Sequence, residues 1–386
     1  MPHLALRIAQ ALAVGTAAGI GYYCLSIYSG LKYLRYRSLP TNVSSFYPPV
    51  SILKPLKGTD PEMYESFRTH CLQDYPEYEI IFGVSDSHDP AITLVHKLIA
   101  EFPSRKIRLI VCSQILGANV KVSNLVQMTR EAAYDHLLVN DSDIRVESDY
   151  LRRVMAPLSN SQVGLVTALY RGVPAPTLGS KLEAIGINTD FSAGVLSAQI
   201  VEDGIRFGLG STLALRRQQL HDIGGFEALV DFLADDYELG ARISGLGCQI
   251  ALADVVVRTF LPAYSFREFI SHQLRWARTV RDSRPLGYFG LILTFGLPWA
   301  ILATVLAPQK PFLLLLAVTL VLRFVMAWVI ARKVLGDRLT HPPAWLIPLR
   351  DVIFVVVWFA SYAGHKIHWR GSDFLLRKGR LVRIAD

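Results

Sequence analysis

The sequence predicts an α/β domain, built on a mostly parallel sheet with helices on both faces and joined to apolar helical segments. Apolar runs typical of strands alternate with helical stretches between residues 50 and about 257, and such alternation is typical of a parallel sheet. Hydrophobic residues make up 51% of the 386 residues and charged residues only 19%. This composition is too apolar for a soluble protein of this size and indicates membrane segments.

The net charge of +8 is better explained by a membrane surface than by nucleic acid. Basic residues cluster beside the apolar stretches, where anionic lipid and the positive-inside rule favour them, and no nucleic-acid-binding motif accompanies them. The four cysteines lack Cys-x-x-Cys spacing, so they predict neither a disulfide framework nor a zinc site. We expect the bilayer, and no nucleic acid, as a partner.

A first apolar segment, from about Ile8 to Tyr28, is long enough to span a bilayer. Three basic residues follow it, against Arg7 before it, which favours a retained anchor with the next domain in the cytoplasm, in bacteria at the inner membrane. We expect a membrane anchor over residues 1–36 and a cytoplasmic α/β domain over residues 45–262.

Strands are predicted in this domain at apolar runs bounded by polar residues. These runs are 50–53, 78–84, 107–111, 137–139 and 164–168. Helical spacing predicts helices between them, for example over Ala91–Glu101 and residues 122–134. Polar residues that follow the strands are candidates for a site, because ligands bind outside the carboxyl ends of strands in such sheets.

The pattern changes after the α/β domain. Residues 263–285 have helical spacing and carry five arginines and His272, which predicts a basic interfacial helix. Three apolar segments follow within 286–364, and the first is interrupted by Gly296 and Pro298, so we expect it to bend or to cross only partly. Residues 365–386 form a basic tail, whose charge favours the cytoplasmic side.

Asp141 and Asp143 follow the predicted strand 137–139 directly. An Asp-x-Asp pair at a strand end suits Mg²⁺, which takes one or two carboxylates together with phosphate oxygens. A solvated turn or a helix cap is the alternative for such a pair.

Further polar residues lie after the predicted strand 78–84 and at the start of the predicted helix 122–134. Asp86 comes after the strand 78–84 and suits hydrogen bonds from a nucleobase or a ribose hydroxyl, unless Asp89 caps the next helix and Asp86 is only a loop residue. Lys121 and Asn124 precede the Asp-x-Asp pair, and a lysine here suits the charge of a diphosphate. A solvated helix face is their alternative.

Two acidic residues, Asp235 and Asp236, open a predicted helix that continues through Ile243. Such acids are most often caps favoured by the helix dipole, but a carboxylate in an apolar setting also suits a general base. In the basic helix, Arg275 and Trp276 fit either an interfacial anchor or a phosphate-binding arginine beside a ring that lines an acceptor channel.

The ordered motifs resemble those of the ceramide glucosyltransferase family, membrane glycosyltransferases with a GT-A-type nucleotide-binding fold. The matching stretches are Leu53-Lys54-Pro55-Leu56-Lys57-Gly58, Asp60-Pro61, Asp74-Tyr75-Pro76-x-Tyr78-Glu79, Asp89-Pro90-Ala91, Lys121-x-x-Asn124-Leu125, Asp141-Ser142-x-Ile144-Arg145-Val146, Asp235-Asp236-Tyr237, Leu274-Arg275-Trp276 and Trp369-Arg370-Gly371. The similarity extends from the first anchor to the tail.

The resemblance implies a role for each matching residue. Asp86 matches the aspartate that binds the uridine end of a UDP-sugar. Asp141, with Asp143 beside it, matches the aspartate that engages a divalent cation, Mg²⁺ or Mn²⁺, and the diphosphate. Asp236 matches the catalytic base, and Arg275 with Trp276 matches the end of the closing (Gln/Arg)-x-x-Arg-Trp motif. Residues 45–262 would then be the catalytic domain.

Two departures from the family pattern affect the substrates. His272 stands where Gln or Arg is usual, and Asp143 stands where the animal enzymes have glycine. An aspartate at position 143 resembles the pattern of the bacterial hopanoid-pathway glycosyltransferases, which use an N-acetylglucosamine donor. We therefore expect an inverting, metal-dependent transfer of a hexose, with UDP-glucose favoured, to a hydroxyl of ceramide, or alternatively of N-acetylglucosamine to a hopanoid alcohol.

Two different kinds of protein fit the sequence less well. A polysaccharide or dolichol-type synthase that exports its polymer would need more crossings than the three or fewer apolar segments after the α/β domain. An inactive membrane scaffold or transporter would not need the four aspartates Asp86, Asp141, Asp143 and Asp236. The sequence therefore favours an active transferase.

Overall fold

A computed structural model describes residues 2–38, 46–337, 343, 345–369 and 372–384. The chain folds into two compact units. One, the sheet unit, comprises Leu39–Val173, Glu202–Pro262 and His368–Asp386; the other, the helical unit, comprises Met1–Ser38, Pro174–Val201 and Ala263–Ile367. Arg370 and Gly371, two residues of the tail motif, lie outside the described residues.

The described part of the sheet unit contains a sheet of eight strands, numbered here in chain order. They are β1 Val50–Leu56, β2 Tyr78–Val84, β3 Lys106–Val111, β4 His136–Val139, β5 Ile144–Arg145, β6 Val163–Val173, β7 Leu213–Arg216 and β8 Gln249–Phe260. Their spatial order is β3-β2-β1-β4-β7-β6-β8-β5. β1 runs parallel to β2 and β4, whereas β7 runs antiparallel to β4 and β6. The sheet is mixed and mostly parallel, which confirms the predicted fold class.

The central strands are buried along their whole length. Every residue of β1 and β2 is buried, whereas β3 at the edge of the sheet is largely exposed. Strands of a parallel sheet that are covered on both faces have this continuous apolar character. β1 pairs with β2 up to Leu56 and Val84, and Leu53 pairs with Val139 of β4. The loops after β2 and β4 therefore leave the same edge of the sheet.

Short helices connect these strands. They are Met63–Cys71, Ala91–Glu101, Val120–Glu131, Tyr150–Met155, Arg217–Asp222 and Asp235–Gly245. The helix Ala91–Glu101 buries Ala91, Val95 and Leu98, whose spacing places them on one helical face. Its bounds and those of β2 are the ones predicted from the sequence.

The helical unit contains the apolar segments predicted from the sequence. Its α-helices are Pro2–Ser38, Leu178–Ile185, Ser192–Val201, Phe266–Ser283, Pro285–Gly290, Gly296–Leu306, Lys310–Ala327 and Leu346–Ser361. Gly186–Phe191 and Trp328–Val334 are π-helical. Among the described residues, His3–Arg37 and Lys310–Val334 are long and apolar enough to cross a membrane. A further span exists if Pro285–Thr294 and Gly296–Leu306, bent by 50°, count as one.

The first long helix, Pro2–Ser38, packs closely against the bend between Pro285–Thr294 and Gly296–Leu306. A Cβ added at Gly19 would lie 2.2 Å from the Cα of Gly296, so the two backbones touch without a side chain between them. The hydroxyl of Tyr23 accepts a hydrogen bond from the N–H of Leu297 at 3.1 Å. Small residues at helix crossings in apolar surroundings allow this approach.

The tail of the chain forms strands, which the sequence pattern did not predict. β9 Lys366–Trp369, β10 Ser372–Arg377 and β11 Arg380–Arg383 form a second sheet in the order β11-β10-β9. The N–H of Leu381 donates to the carbonyl of Asp231 at 2.7 Å, and the N–H of Leu233 donates to the carbonyl of Gly379 at 3.2 Å. The tail thus holds the segment that leads directly into the Asp235–Gly245 helix.

Candidate active site

The Asp-x-Asp pair follows β4 at the shared edge of the sheet. The side chain of Asp141 is 41% exposed. The carboxylate of Asp143 accepts a hydrogen bond from the hydroxyl of Thr259, a residue of β8. Burial, and then the negative charge of Asp141, raise the pKa of Asp143 to about 6. The two acids therefore differ, with Asp141 open to a ligand and Asp143 fixed beside it.

Lys54 of β1 and Asp60 in the loop after β1 shape this turn. Lys54, a buried residue of β1, donates from Nζ to the backbone carbonyl of Asp141 at 3.0 Å. Its burial lowers the pKa of the ammonium to about 7, against the opposing charges of Asp143 and Asp141. The hydroxyl of Ser142 donates to the carboxylate of Asp60. The backbone of the pair is thus held from β1 and from the loop after it.

Lys121 bridges the Asp-x-Asp pair and the acidic helix start. Its Nζ lies 2.9 Å from Oδ1 of Asp141 and 3.2 Å from Oδ2 of Asp235, and its side chain is only 12% exposed. Burial alone would lower the pKa of this ammonium, but the surrounding carboxylates, above all Asp141 and Asp235, raise it above its ordinary value. Lys121 is therefore a fixed cation at the centre of the site.

Asp236 lies in the first turn of the Asp235–Gly245 helix, with both carboxylate oxygens held by backbone donors. The N–H of Gly210 donates to Oδ2 at 2.8 Å, and the N–H of Tyr237 donates to Oδ1 at 2.8 Å. Burial first, and then the negative charge of Asp235, raise the pKa of Asp236, while Lys121 opposes the shift. A carboxylate that is both positioned and easily protonated suits proton transfer.

Asp141 and Asp236 meet at Gly210. A Cβ added to this glycine would lie 3.2 Å from Oδ2 of Asp141 and 3.2 Å from Oδ2 of Asp236. The two carboxylates, distant in sequence, therefore face one small volume that a side chain would narrow. The absence of a side chain at residue 210 keeps this volume open to a ligand.

Asp86 and Asn124 lie near the end of β2. Asp86 is exposed, and its Oδ1 accepts a hydrogen bond from the N–H of His88 at 2.9 Å, which lowers the pKa of its carboxyl. Asn124 is buried, and its Oδ1 accepts from the hydroxyl of Ser85 at 3.0 Å. Asp89 instead accepts from the N–H groups of Gly58 and Ala91. Because Asp89 already joins the two loops, the exposed carboxylate of Asp86 is the one available to a ligand.

Arg275 and Trp276 belong to the helical unit and lie in the Phe266–Ser283 helix. The ring of Trp276 packs against His272, with ring centroids 5.2 Å apart, and against Phe191 at 6.3 Å. Nδ1 of His272, the residue that departs from the family motif, lies 3.1 Å from the carboxylate of the buried Glu183. This histidine therefore has a carboxylate partner within its own unit.

The acidic pair fits a divalent cation with phosphate ligands. Among the described residues, no group of three or more His, Cys, Asp or Glu side chains is arranged to hold a metal. The half-exposed Asp141 beside the fixed Asp143 instead offers the one or two carboxylates that Mg²⁺ takes alongside phosphate oxygens. The donor set is therefore compatible with a cation that binds together with a nucleotide.

Sequence reasoning predicted roles for Asp141, Asp143, Asp236 and Lys121, treated Asp235 as a helix cap or a possible base, and gave no role to Lys54 or Gly210. One signal pointed to Lys54, because a charged residue inside a buried apolar strand is rare unless it has a partner. Gly210 had no such local signal, and the helix-start pattern of Asp235 did not indicate its contact with Lys121. Their importance depends on contacts with residues far away in the chain.

Comparison with known proteins agrees with this geometry. Residues 11–382 match the family model described as glycosyl transferase family 21. Ceramide glucosyltransferase 3 of Caenorhabditis elegans is 25% identical over 399 residues, which cover 97% of this chain and 84% of that protein. The ceramide glucosyltransferase of Candida albicans is 32% identical over 127 residues, covering 30% of this chain and 23% of that protein.

A solved structure shares the fold. The mannosyltransferase PcManGT from Pyrobaculum calidifontis, in complex with GDP-Man and Mn²⁺, superposes with a TM-score of 0.60 at 19% identity, covering 93% of this chain and 99% of that chain. This likeness confirms the GT-A fold that the motifs imply. Family and fold make the protein a sugar transferase, and the chain belongs to glycosyl transferase family 21.

Proposed function

We propose that the protein transfers a hexose from a UDP-sugar to a hydroxyl group of a membrane lipid, with inversion at the anomeric carbon. UDP-glucose and ceramide are the favoured substrates. The observation that carries this proposal is the meeting of Asp141 and Asp236 at Gly210 beside Lys121. A carboxylate suited to a cation and a diphosphate thus lies next to a carboxylate suited to proton transfer.

Asp236 is the general base in this proposal. Its oxygens are oriented by the N–H groups of Gly210 and Tyr237, so the carboxylate is fixed before the substrate arrives. It takes the proton of the acceptor hydroxyl while the acceptor oxygen attacks the anomeric carbon. The bond from that carbon to the diphosphate oxygen breaks on the opposite face, and UDP leaves with the electron pair.

Charge stabilisation of the departing diphosphate is the second requirement. Lys121, held between Asp141 and Asp235, is a cation already in place, and fixed charges of this kind are usually the largest contribution to catalysis. Asp141 and Asp143 would hold Mg²⁺ or Mn²⁺, which offsets charge on the diphosphate when bound. The structural neighbour PcManGT was solved with Mn²⁺, which supports this assignment.

The remaining predicted residues bind the nucleotide in this proposal. Asp86 accepts hydrogen bonds from the uridine, and Asn124 supports the same loop through Ser85. Arg275 contributes positive charge toward the diphosphate, and Trp276 lines the path of the acceptor. Both roles follow from the family motif that these two residues match.

The lipid acceptor is supported by the apolar helices and by the relatives. Two of the described helices are long and apolar enough to cross a membrane, and the relatives from C. elegans and C. albicans are ceramide glucosyltransferases. The basic residues at the C-terminal end of the first helix favour the cytoplasmic side for the sheet unit. Asp143 favours the second candidate, transfer of N-acetylglucosamine to a hopanoid alcohol.

A product assay tests this function. Membranes containing the protein receive labelled UDP-glucose or UDP-N-acetylglucosamine, each with ceramide, with a hopanoid polyol, or without added lipid. The proposal predicts labelled glucosylceramide, which is absent with an Asp236→Asn variant expressed at the same level. An N-acetylglucosaminyl hopanoid would keep the mechanism and change the substrates. No labelled lipid from any pairing would support an inactive scaffold instead.

A further inference from the structure

A cluster of buried charges lies within the helical unit and shares no residue with the acidic site. Arg323, in the candidate membrane span, is 1% exposed. Its guanidinium donates to both carboxylate oxygens of Asp351, at 2.7 and 2.8 Å, and to Asp190 at 2.8 Å. Ionisable residues inside an apolar span are unfavourable and generally mark a functional site.

Arg350 extends this cluster toward the Phe266–Ser283 helix. Its Nη1 lies 3.4 Å from Oδ2 of Asp190, and its Nη2 donates to Oε1 of Gln273 at 3.3 Å. A Cβ added at Gly186 would lie 2.6 Å from Nη2 of Arg350, so the guanidinium lies directly against the π-helix that carries Asp190. We call Asp190, Arg323, Arg350 and Asp351 the buried charge cluster.

The buried charge cluster has hydrogen-bonding capacity that the described chain does not fill. Nη1 of Arg323, Nη1 of Arg350 and Oδ2 of Asp190 are all buried and have no hydrogen-bond partner among the described residues. The contact between Arg350 and Asp190 is within ion-pair distance but not in hydrogen-bonding geometry. Because nearly all buried polar groups in native proteins are paired, these three atoms indicate a polar group that the described part of the chain does not supply.

The position of Asp190 gives the cluster an opening. Its side chain is 26% exposed, whereas Asp351 and Arg323 are almost fully buried. Asp190 also lies in the π-helical segment Gly186–Phe191, and insertions of this kind in helices frequently occur at functional sites. A ligand would therefore meet Asp190 first and the two guanidinium groups behind it.

The charges of the cluster select the chemistry of this ligand. Two arginines face two aspartates, so the formal charges cancel and an anionic head group gains nothing from them. A neutral group with a hydrogen-bond donor and an acceptor can donate to Oδ2 of Asp190 and accept from Nη1 of Arg323 or Arg350. Hydroxyl and amide groups, side by side on a sphingoid-type head group, meet this requirement.

We propose that the buried charge cluster binds the polar head group of the acceptor lipid, with a hydroxyl or amide N–H donating to Asp190 and a head-group oxygen accepting from Arg323 or Arg350. This inference rests on the proposed transfer to a membrane lipid. It assigns Asp190 as a binding residue and leaves the chemistry to Asp236.

The test compares Asp190→Asn with wild type in the purified full-length protein in detergent. The substitution keeps the size of the side chain and removes the charged acceptor. We expect the KM for ceramide to rise about tenfold, because hydrogen bonds to charged groups contribute this much, with the KM for the UDP-sugar unchanged. Asp337→Asn, which removes another buried carboxylate of the same unit, is the matched control and should leave the KM for ceramide unchanged.

A ceramide analogue without the secondary hydroxyl separates binding from structural support. Wild type should bind the analogue about tenfold more weakly than ceramide. Asp190→Asn should bind the analogue and ceramide equally, because the substitution and the missing hydroxyl remove the same hydrogen bond. The proposal would be overturned if the substitution and the missing hydroxyl weakened binding additively, or if Asp190→Asn left the KM for ceramide unchanged. The cluster would then be a structural set of ion pairs.

The outcome stays informative if no sugar transfer is found. In that case the proposed function fails, and ceramide is added to the purified protein while its thermal unfolding is followed. A ceramide-dependent rise in the unfolding midpoint that is lost in Asp190→Asn but kept in Asp337→Asn would support the lipid site on its own. No rise in wild type would overturn it.

Discussion

The backbone N–H of Gly210 donates to Oδ2 of Asp236 at 2.8 Å, and a Cβ added to the same glycine would lie 3.2 Å from Oδ2 of Asp141. One residue without a side chain therefore orients the proposed base and borders the proposed cation site. Neither acid is near residue 210 in the sequence, and the arrangement exists only in the folded sheet unit.

Gly210→Ala tests this arrangement by steric means alone, because alanine keeps the N–H donor. The added methyl group would lie 3.2 Å from an oxygen of each acid, so both carboxylates must shift by a few tenths of an ångström. We expect transfer to fall about tenfold, since small misplacements in active sites are costly, with the thermal midpoint near that of wild type. Gly245→Ala, where a Cβ meets nothing within 4 Å, is the control. Full activity of Gly210→Ala would show that this volume is not used.

Asp86→Asn tests the assignment of the uridine-binding loop. The carboxylate of Asp86 is exposed and contacts the neighbouring His88, so we expect no measurable change in stability. The KM for the UDP-sugar should rise about tenfold if the carboxylate binds the nucleotide. Asp135→Asn provides a matched control. This exposed aspartate lies directly before β4, whereas Asp86 lies after the end of β2, so the two residues are at opposite ends of the parallel strands. Equal KM values in the two variants would mean that Asp86 is a loop residue only.

Local patterns predicted part of the fold well. The bounds of β2 and of the helix Ala91–Glu101 agree with the sequence prediction because apolar residues with clear periodicity end there at polar residues. β7 and β8 were not predicted. β7 is only four residues long, and the outward positions of β8 carry Asp254 and Arg258, so neither strand stands out from its neighbours without its pairing partners.

The site was predictable to the extent that it lies at strand ends. Asp141 and Asp143 could be placed because the strand before them is apolar and parallel strands share an edge. The bridge from Lys121 to Asp235 spans more than one hundred residues, and the contact of Gly210 with Asp236 depends on how the chain returns to the sheet. Sequence periodicity carries no information about either contact.

The pH dependence of transfer should report the protonation of Asp236. Burial and the charge of Asp235 raise its pKa, so as the pH falls this carboxylate takes up a proton while an exposed aspartate, with a pKa of about 3.9, is still charged. The protonated form cannot act as a base. The value of kcat/KM for the acceptor should therefore fall at pH values below the pKa of Asp236 and level off at higher pH. Lys121→Met should move this acidic limb to higher pH, because the ammonium favours the charged carboxylate. A limb that moves to lower pH would contradict the assignment.

The tail should support the acidic helix start. Leu381→Pro removes the N–H that donates to the carbonyl of Asp231, four residues before Asp235, and a proline within a strand breaks the pairing. We expect about tenfold lower transfer, since the segment before the Asp235–Gly245 helix loses its backbone partner. Val382→Ala keeps every backbone donor of β11 and truncates an exposed side chain, so it should behave as wild type. An active Leu381→Pro variant would show that the tail is not required.

The Asp236→Asn variant, measured for both donor binding and product formation, shows whether Asp236 removes the proton of the acceptor hydroxyl. Asparagine keeps the size of the side chain and one oxygen, so UDP should bind with its wild-type affinity while lipid glycosylation falls by about 10²–10⁴-fold, the usual contribution of a general base. Loss of UDP binding together with activity would make Asp236 a donor-site residue. A near-normal rate of glycosylation would contradict the account, because another residue would then have to remove the proton.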